Sequence, residues 1–263
     1  MAIEHFLRYK KGMISKIKQA VGARLASFLT KPLSGYQRLD TVSVETISST
    51  LKTGDVLLVE GNTRISIAIQ YLTQSSWSHA CLFVGKQGAH YSKPSLLEAD
   101  LNEGVRLVPL SQYAEFNLRI CRPVSLKEED TRELVEFARY KLGHKYDLQN
   151  VVDLVRYLVQ KPAVPHRYRR AMISLGSSEP TKAICSTLIA ESFQSINYPI
   201  LPRTEDGKGV DGEVPQFYKR HFTHFTPRDF DLSPYFRVVK PTVEEGFDFR
   251  EFKWSRGNES DEN

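Results

Sequence analysis

The sequence predicts an α+β fold, and three observations indicate it. Short apolar runs separated by turn residues cluster between residues 55 and 122, which is typical of strands. Apolar residues at helical spacing follow in the segments after residue 125. The chain has 263 residues, of which 41% are apolar, so it is long enough to bury one sizeable hydrophobic core.

The first part of the chain has the pattern of a basic amphipathic helix. Residues 1–38 carry eight basic side chains against one acidic side chain, Glu4, and apolar residues recur there at spacings near three and four. Such a helix is suited to lie on an anionic membrane with its lysines at the lipid headgroups. The other interpretation is a helix packed on the domain with its lysines in solvent. We predict a basic N-terminal helical segment at residues 1–40 and leave both roles open.

The strands expected in the middle of the chain are short. Residues 85–94 and 102–104 are rich in turn-forming side chains and are expected to connect strands. Pro123 ends the last of the apolar runs, because proline cannot donate a hydrogen bond to a neighbouring strand. The runs that we interpret as strands are residues 55–59, 78–84, 96–99, 105–110 and 118–122.

Helices are predicted after the strands. Ser125 followed by Glu128 has the spacing of a capping box, and the helix that it begins is expected to end at Gly143. Two further helices are expected over residues 149–159 and 185–196. The second of them keeps its apolar side chains on one side.

The remaining segments define the expected domain limits. The stretch 161–170 is basic and punctuated by prolines, so it cannot be regular structure throughout, and we interpret it as part of an insertion near residues 160–180. One more strand is expected at residues 235–239. We therefore predict a single domain over residues 41–245, followed by a polar C-terminal tail at residues 246–263.

Charge and cysteine content exclude several classes of protein. The net charge of +5 permits contact with anionic surfaces, but no stacking motif accompanies the basic residues, so no nucleic acid is expected as a partner. Three scattered cysteines without a CxxC pair favour a reducing compartment or a catalytic thiol over a disulfide framework or a zinc site. Because we find no signal peptide and no apolar run of about 18 residues, we expect a cytoplasmic protein, with peripheral membrane contact left open.

Cys185 is the side chain best suited to be a nucleophile. It falls where a helix is expected to begin, so its thiol would lie at the positive end of the helix dipole, among unpaired backbone N–H groups. Both features lower a thiol pKa, and the same N–H groups can hold an oxyanion. The other interpretation is a small buried apolar side chain, which is the common role of a lone cysteine.

His79 is the candidate base for that thiol. It lies at the head of an expected strand, and Glu98 lies on the next expected strand, so the carboxylate is suited to accept the second imidazole N–H and to orient the ring. His144, close to Tyr146, is the alternative base. A lone histidine on a strand is more often an ordinary core or surface residue, so these residues alone leave the site open.

Five short motifs in a fixed order resemble the papain-like NlpC-type hydrolases. The histidine precedes the cysteine, as in the circularly permuted, YiiX/YebB-like branch of that superfamily, and the resemblance covers roughly residues 50–200. In chain order, the motifs are Gly54-Asp55-Val-Leu-Leu, Trp77-Ser-His79-Ala-Cys-Leu-Phe-Val-Gly85, Leu97-Glu98-Ala, Ala138-Arg-Tyr-Lys-Leu-Gly143-His-Lys-Tyr146-Asp147 and Ile184-Cys185-Ser186-Thr-Leu-Ile-Ala190.

The resemblance implies a fold, a catalytic triad and an activity. It implies a permuted papain-like fold, in which a small antiparallel sheet bearing His79 packs on a helical half bearing the nucleophile Cys185. His79 would act as general base and then general acid, and Glu98 would orient it. Tyr146 matches a tyrosine that lines the family's cleft and is suited to bind the substrate carbonyl, unless it is simply a buried tyrosine. The implied activity is cleavage of an amide, ester or thioester through an acyl-enzyme, with no cofactor and no metal.

The substrate class stays open between a small peptide and another acylated molecule, such as a lipid. The segment after Tyr146 lacks the Trp-Gly-Gly type of sequence found in relatives that cleave cell-wall peptides, which argues against that substrate. Arg167 and Arg169 are suited to bind phosphate headgroups, or else belong to a solvated basic loop. The expected substrate is thus a small peptide or an acylated molecule. The alternatives are a membrane-associated lipid acyl hydrolase or acyltransferase, and a non-catalytic binding module on the same fold.

Overall fold

A six-stranded antiparallel sheet forms the centre of the computed structural model. Its strand order is β4-β3-β2-β1-β5-β8, and a separate hairpin pairs β6 with β7. The structure describes residues 27–39, 42–87, 93–100, 103–145, 184–204, 217–248 and 250. The strands are β1 (Val56–Val59), β2 (His79–Gln87), β3 (Lys93–Asp100), β4 (Gly104–Pro109), β5 (Leu118–Pro123), β6 (Arg203–Thr204), β7 (Phe217–Tyr218) and β8 (Phe236–Val239).

Helices cover the sheet and connect its strands. Together with the antiparallel sheet they confirm the predicted α+β class. Two short 3₁₀ turns are present: Leu110–Tyr113 lies between β4 and β5, and Phe222–His224 lies between β7 and the helix Pro227–Leu232. The helices are α1 (Val44–Thr50), α2 (Arg64–Thr73), α3 (Glu128–Tyr140), α4 (Ile184–Ser195), α5 (Pro227–Leu232) and α6 (Pro241–Glu244).

Strand β1 is buried on both faces and separates two hydrophobic cores. Its four side chains are at most 1% exposed, as expected for a continuous apolar run that is covered on both sides. Val56 and Leu58 belong to one core, together with Phe193 of α4. Leu57 and Val59 belong to the other core, together with a residue of α1. Helix α4 therefore lies against the sheet through the first core, next to β2 and β3.

The start of α3 differs from the sequence prediction. Ser125 has a φ of 60° and lies in a turn, so it does not cap the helix, and the predicted capping box was wrong. The helix begins at Glu128 after Lys127, whose backbone N–H donates to the Asp130 carboxylate at 3.1 Å. The capping carboxylate is thus two residues further along the chain than predicted. Ser125 meets the spacing of a capping box, but its positive φ places it in the turn after β5, two residues before the N-cap position.

Replacing Gly54 with alanine is expected to lower the free energy of unfolding by about 1–2 kcal/mol. Gly54 has a φ of 93°, and an added Cβ would lie 3.2 Å from Cδ2 of Leu126. Gly35 has a similar φ of 92°, with nothing within 4 Å of an added Cβ among the described residues, so Gly35→Ala adds only the backbone strain. Urea unfolding of both variants measures the difference. Equal losses in the two variants would contradict a role for the Leu126 contact.

Several predicted segments fall wholly or largely outside the described residues. They are the N-terminal helix within residues 1–40, the helix at 149–159, the insertion near 160–180 and most of the tail at 246–263. The domain limits drawn from them, including residues 41–245 as one domain, stay predictions. None of the helices that the structure describes is both long and apolar enough to cross a membrane.

Candidate active site

Cys185 is the second residue of α4 and lies where that helix meets the sheet. Its side chain is 5% exposed, and its thiol interacts with the His79 side chain and with the backbone N–H groups of Ala80 and Ser186, which lower its pKa. The buried Ser186 hydroxyl donates to the backbone carbonyl of Phe225 at 2.8 Å, which anchors the first turn of the helix. The nucleophile candidate is therefore held by both its own helix and the neighbouring strand.

His79 is the first residue of β2, where the strand emerges from the core. Its backbone pairs with Val59 of β1, and its side chain keeps 24% of its surface exposed. The ring nitrogen Nε2 lies 2.8 Å from Oε2 of Glu98. Because Nε2 faces the carboxylate, Nδ1 is the nitrogen left to exchange a proton with the thiol of Cys185.

Glu98 lies on β3, beside β2, and its carboxylate is 2% exposed. Oε1 accepts a hydrogen bond of 2.9 Å from Nε of Arg106, and Oε2 accepts one from the Tyr113 hydroxyl. The Cys81 thiol lies 3.6 Å from the same Oε2. Each carboxylate oxygen therefore has at least one donor, which is how a buried charge is accommodated.

The structure brings together the three residues that the sequence analysis grouped. Cys185, His79 and Glu98 come together from α4, β2 and β3: the His79 imidazole lowers the pKa of the Cys185 thiol, and its Nε2 lies 2.8 Å from Oε2 of Glu98. The predicted substrate-binding residues Tyr146, Arg167 and Arg169 lie outside the described residues. Their roles, like the catalytic roles of the three grouped residues, stay predictions.

Three further side chains of the site were missed by the sequence analysis. Arg106 stands directly opposite Glu98 in the β3–β4 pairing, so the turn predicted at residues 102–104 was a usable signal for it. Cys81 shares a face of β2 with His79, two residues away. Tyr113 comes from the 3₁₀ turn after β4, and no local pattern indicates that its hydroxyl reaches Glu98.

His144, the alternative base, has other contacts. Its backbone carbonyl accepts the N–H of Val105 at 3.0 Å, and its ring packs edge-on against Tyr140, with ring centroids 6.0 Å apart. These contacts place it at the junction of α3 and β4. His79 is the better candidate base, because its imidazole interacts with the Cys185 thiol.

The electrostatics of the pair favour a charged thiolate. Burial would raise the pKa of the Cys185 thiol, but the charge and hydrogen bond of His79, helped by two backbone N–H groups, lower it below its ordinary value of 9.0. Burial would lower the pKa of His79, but the acidic groups around it, among them the Cys185 thiolate, raise it well above 6.5. The proton is therefore favoured on the imidazole. At any pH between the two pKa values the pair is a thiolate and an imidazolium.

Glu98 is ionised throughout that pH range. Burial would raise the pKa of its carboxyl group, but the hydrogen bonds and charges of His79, Tyr113 and Arg106 lower it to about 2. An ionised carboxylate beside Nε2 stabilises the imidazolium form of His79. Glu98 therefore supports the same charge distribution that favours the Cys185 thiolate.

The low pKa of Glu98 makes the stability of the fold depend on pH. We expect the free energy of unfolding to fall by about 2 kcal/mol more in the wild type than in Glu98→Gln between about pH 5 and pH 3. The folded-state pKa lies below the ordinary 4.5, so the stabilisation is complete above 4.5 and is lost as the pH falls toward 2. Denaturant unfolding of both proteins at the two pH values measures it. Parallel pH dependences would contradict the assignment.

The donor atoms of His79, Cys81 and Glu98 lie within 4.8 Å of one another, which is close enough for three ligands of one metal ion. Both oxygens of Glu98 already accept hydrogen bonds, and Oε1 is bound to the permanently charged Arg106. The thiol of Cys81 has a pKa raised to about 11, chiefly by burial. A cation would have to displace the arginine and deprotonate this thiol. The donor set therefore does not fit a metal ion in the conformation that the structure shows.

Comparison with known proteins adds a family match. A model of a family described as permuted papain-like amidase enzymes, YaeF/YiiX, C92 family, matches residues 50–157. No curated protein matches the sequence. One similar solved structure, titled as the metalloprotein yiiX from Escherichia coli O157:H7, has 18% identity and a TM-score of 0.45, covering 72% of this chain and 96% of that one.

Proposed function

We propose that the chain is a cysteine hydrolase acting through Cys185, His79 and Glu98, because the model of the YiiX-like, permuted papain-like family matches its residues 50–157. The family is one of papain-like amidases, which supports a cysteine hydrolase in general terms. The triad and the acyl-enzyme are the more specific part of the proposal.

The proposed reaction is acyl transfer to the Cys185 thiol. The thiolate attacks the carbonyl carbon of an amide, ester or thioester, and backbone N–H groups at the start of α4 stabilise the oxyanion. The His79 imidazolium gives its proton to the leaving group, and the acyl group remains on the sulfur. The imidazole then takes a proton from water, the hydroxide attacks the thioester, and the carboxylic acid leaves. Glu98 keeps the imidazole oriented in both halves of the cycle.

The observation that carries the proposal is geometric: a buried cysteine at the start of α4 lies beside a histidine whose Nε2 is 2.8 Å from the buried carboxylate of Glu98, and the pKa of the thiol agrees with it. A buried cysteine with a structural role has a raised pKa, as Cys121 of β5 does through burial. Cys185 is also buried, yet its pKa is lowered by His79 and by backbone N–H groups. A non-catalytic binding module has no need of such an ionised thiol, so the site favours catalysis over binding alone.

The test compares three model substrates that share one acyl group. An ester, a thioester and an anilide are incubated with the purified protein before and after treatment with iodoacetamide, and release of the leaving group is followed. We expect hydrolysis of at least the ester and the thioester, and its loss in proportion to alkylation of Cys185. Hydrolysis that survives complete alkylation of Cys185, or no hydrolysis of any of the three, would contradict the proposal.

A lipid substrate is the second candidate, and apolar exposure near the N-terminal segment favours it. Phe28 is 53% exposed, and the guanidinium of Arg64 lies 4.3 Å from the centre of its ring. Ile67 and Tyr71, one turn apart on α2, are each 46% exposed. Basic and aromatic groups together are suited to the headgroup region of an anionic membrane.

Vesicle binding tests this candidate without truncating the chain, because Leu29 belongs to the core and a deletion through it would disturb the fold. The protein is mixed with phosphatidylglycerol or phosphatidylcholine vesicles and sedimented. We expect co-sedimentation with the anionic vesicles only, and its loss when Lys10, Lys11, Lys16 and Lys18 are replaced by glutamine. No binding to anionic vesicles, or binding that these replacements leave unchanged, would contradict a lipid substrate.

A further inference from the structure

The carboxylate of Glu98 is surrounded by donors from three different elements. On β2, Nε2 of His79 lies 2.8 Å from Oε2. On β4, both Nε and Nη2 of Arg106 lie 2.9 Å from Oε1. The Tyr113 hydroxyl, from the 3₁₀ turn after β4, donates to Oε2. Arg106 thus occupies one oxygen and leaves the other to face the imidazole.

Arg106 is itself fixed by two further carboxylates. Its Nη1 lies 2.8 Å from Glu103, and its Nη2 lies 3.8 Å from Asp100. Its backbone stands opposite Glu98 in the β3–β4 ladder, so the ion pair runs directly across the two strands. The guanidinium is therefore held from its outer side by acidic groups while its inner side binds Glu98.

We propose that Arg106 and Tyr113 are positioning residues, which keep Glu98 ionised and hold its Oε2 against Nε2 of His79. The inference rests on the proposed function, because it concerns the residue that orients the proposed base. Neither side chain needs to contact substrate. Without its donors, a carboxylate as buried as Glu98 would take up a proton near neutral pH and would no longer stabilise the imidazolium.

Few groups around Glu98 change charge in the pH range where this matters. The groups that face it are His79 and Cys81 of β2, Arg106 of β4 and Tyr113. The pKa of the Cys81 thiol is about 11 and that of Tyr113 is raised, both mainly by burial, so both stay neutral. Arg106 stays charged. Among these groups, changes in the wild type between about pH 4 and neutral pH therefore come from the proton shared by His79 and Cys185, and in Arg106→Gln the titration of Glu98 is added to them.

The test is the pH profile of Cys185 alkylation in Arg106→Gln and Tyr113→Phe. The rate constant for reaction with iodoacetamide is measured by peptide mapping between about pH 4 and pH 9. In Arg106→Gln the pKa of Glu98 rises, so we expect the acid limb of the profile to move up by about one pH unit while the rate at high pH stays close to wild type. Tyr113→Phe keeps the ring and should shift the limb in the same direction by less. A merely structural role would lower the rate at every pH.

Two control variants and two outcomes make the test decisive. Arg106→Lys keeps the positive charge and should keep most of the wild-type profile. Arg119→Gln removes the ion pair between Arg119 and Asp231, which lies away from Glu98, and should keep all of the wild-type profile.

Profiles of Arg106→Gln and Tyr113→Phe that coincide with a normal wild-type profile overturn this inference alone. A wild-type Cys185 that shows no reactivity below about pH 7 overturns the proposed function and the inference with it. If Arg106→Gln does not fold, the pH profile of Cys185 alkylation in Tyr113→Phe decides between these outcomes.

Discussion

Replacing His79 with alanine is expected to slow alkylation of Cys185 by about 100- to 1,000-fold at about pH 6. In the wild type, the charge and hydrogen bond of the imidazole lower the pKa of the thiol. Without them, burial of a side chain that is only 5% exposed brings the pKa to 9.0 or above. About one thiol in 1,000 is then ionised at pH 6. The rate of carboxamidomethylation of the Cys185 peptide measures the effect.

Internal and external controls accompany this measurement. Cys81 and Cys121 are fully buried thiols whose pKa values burial raises, so their slow alkylation reports whether the variant opens the core. His144→Ala removes the imidazole of the alternative base, which follows α3. This variant should leave the alkylation rate of Cys185 unchanged. If His79→Ala and wild type react at the same rate, His79 does not activate the thiol.

Replacing Cys185 with alanine is expected to lower hydrolysis of the model ester by at least about 1,000-fold. The substitution removes the atom that attacks the carbonyl and changes little else, because alanine fills most of the space of the buried cysteine. His79 and Glu98 keep their hydrogen bond, so the remaining rate should be that of general-base catalysis alone. Initial rates at saturating ester concentration, with folding checked by circular dichroism, measure the loss.

Cys121→Ala is the matched control for this prediction. Cys121 is equally buried, lies on β5, and its backbone pairs with Val56 in the sheet. The variant should lose some stability, because a buried side chain is shortened, and no more than a small part of its activity. A Cys185→Ala protein that retains the wild-type rate, or a Cys121→Ala protein that loses as much, would exclude Cys185 as the nucleophile.

The sheet and the grouping of Cys185, His79 and Glu98 could be predicted from the sequence for physical reasons. The run at β1 is apolar at every position, which is typical of a strand covered on both faces. His79 and Glu98 begin or follow apolar runs on neighbouring strands, and the antiparallel register Leu82↔Leu97 brings their side chains together. The model of the permuted papain-like family matches residues 50–157, in agreement with the assignment that the motif order suggested.

Other parts could not be predicted from local patterns. Helix α2 contains three isoleucines, whose branched side chains also suit strands, and its clearest signal was the Thr63 side chain that accepts the N–H of Ser66. Tyr113 reaches Glu98 because the 3₁₀ turn that carries it packs against β3. No periodicity in the sequence indicates this contact. Long-range side-chain contacts of this kind follow from tertiary packing rather than from spacing.

Trapping the acyl-enzyme tests the central claim most directly. The protein is mixed for a short time with an activated ester, quenched in acid and digested, and the peptides are examined by mass spectrometry. The account predicts one added acyl group, on the peptide that contains Cys185, formed quickly in the wild type and at a greatly reduced rate in His79→Ala. Hydrolysis of the ester with the acyl group on a different residue, or with no acyl group on the protein at any time, would contradict it.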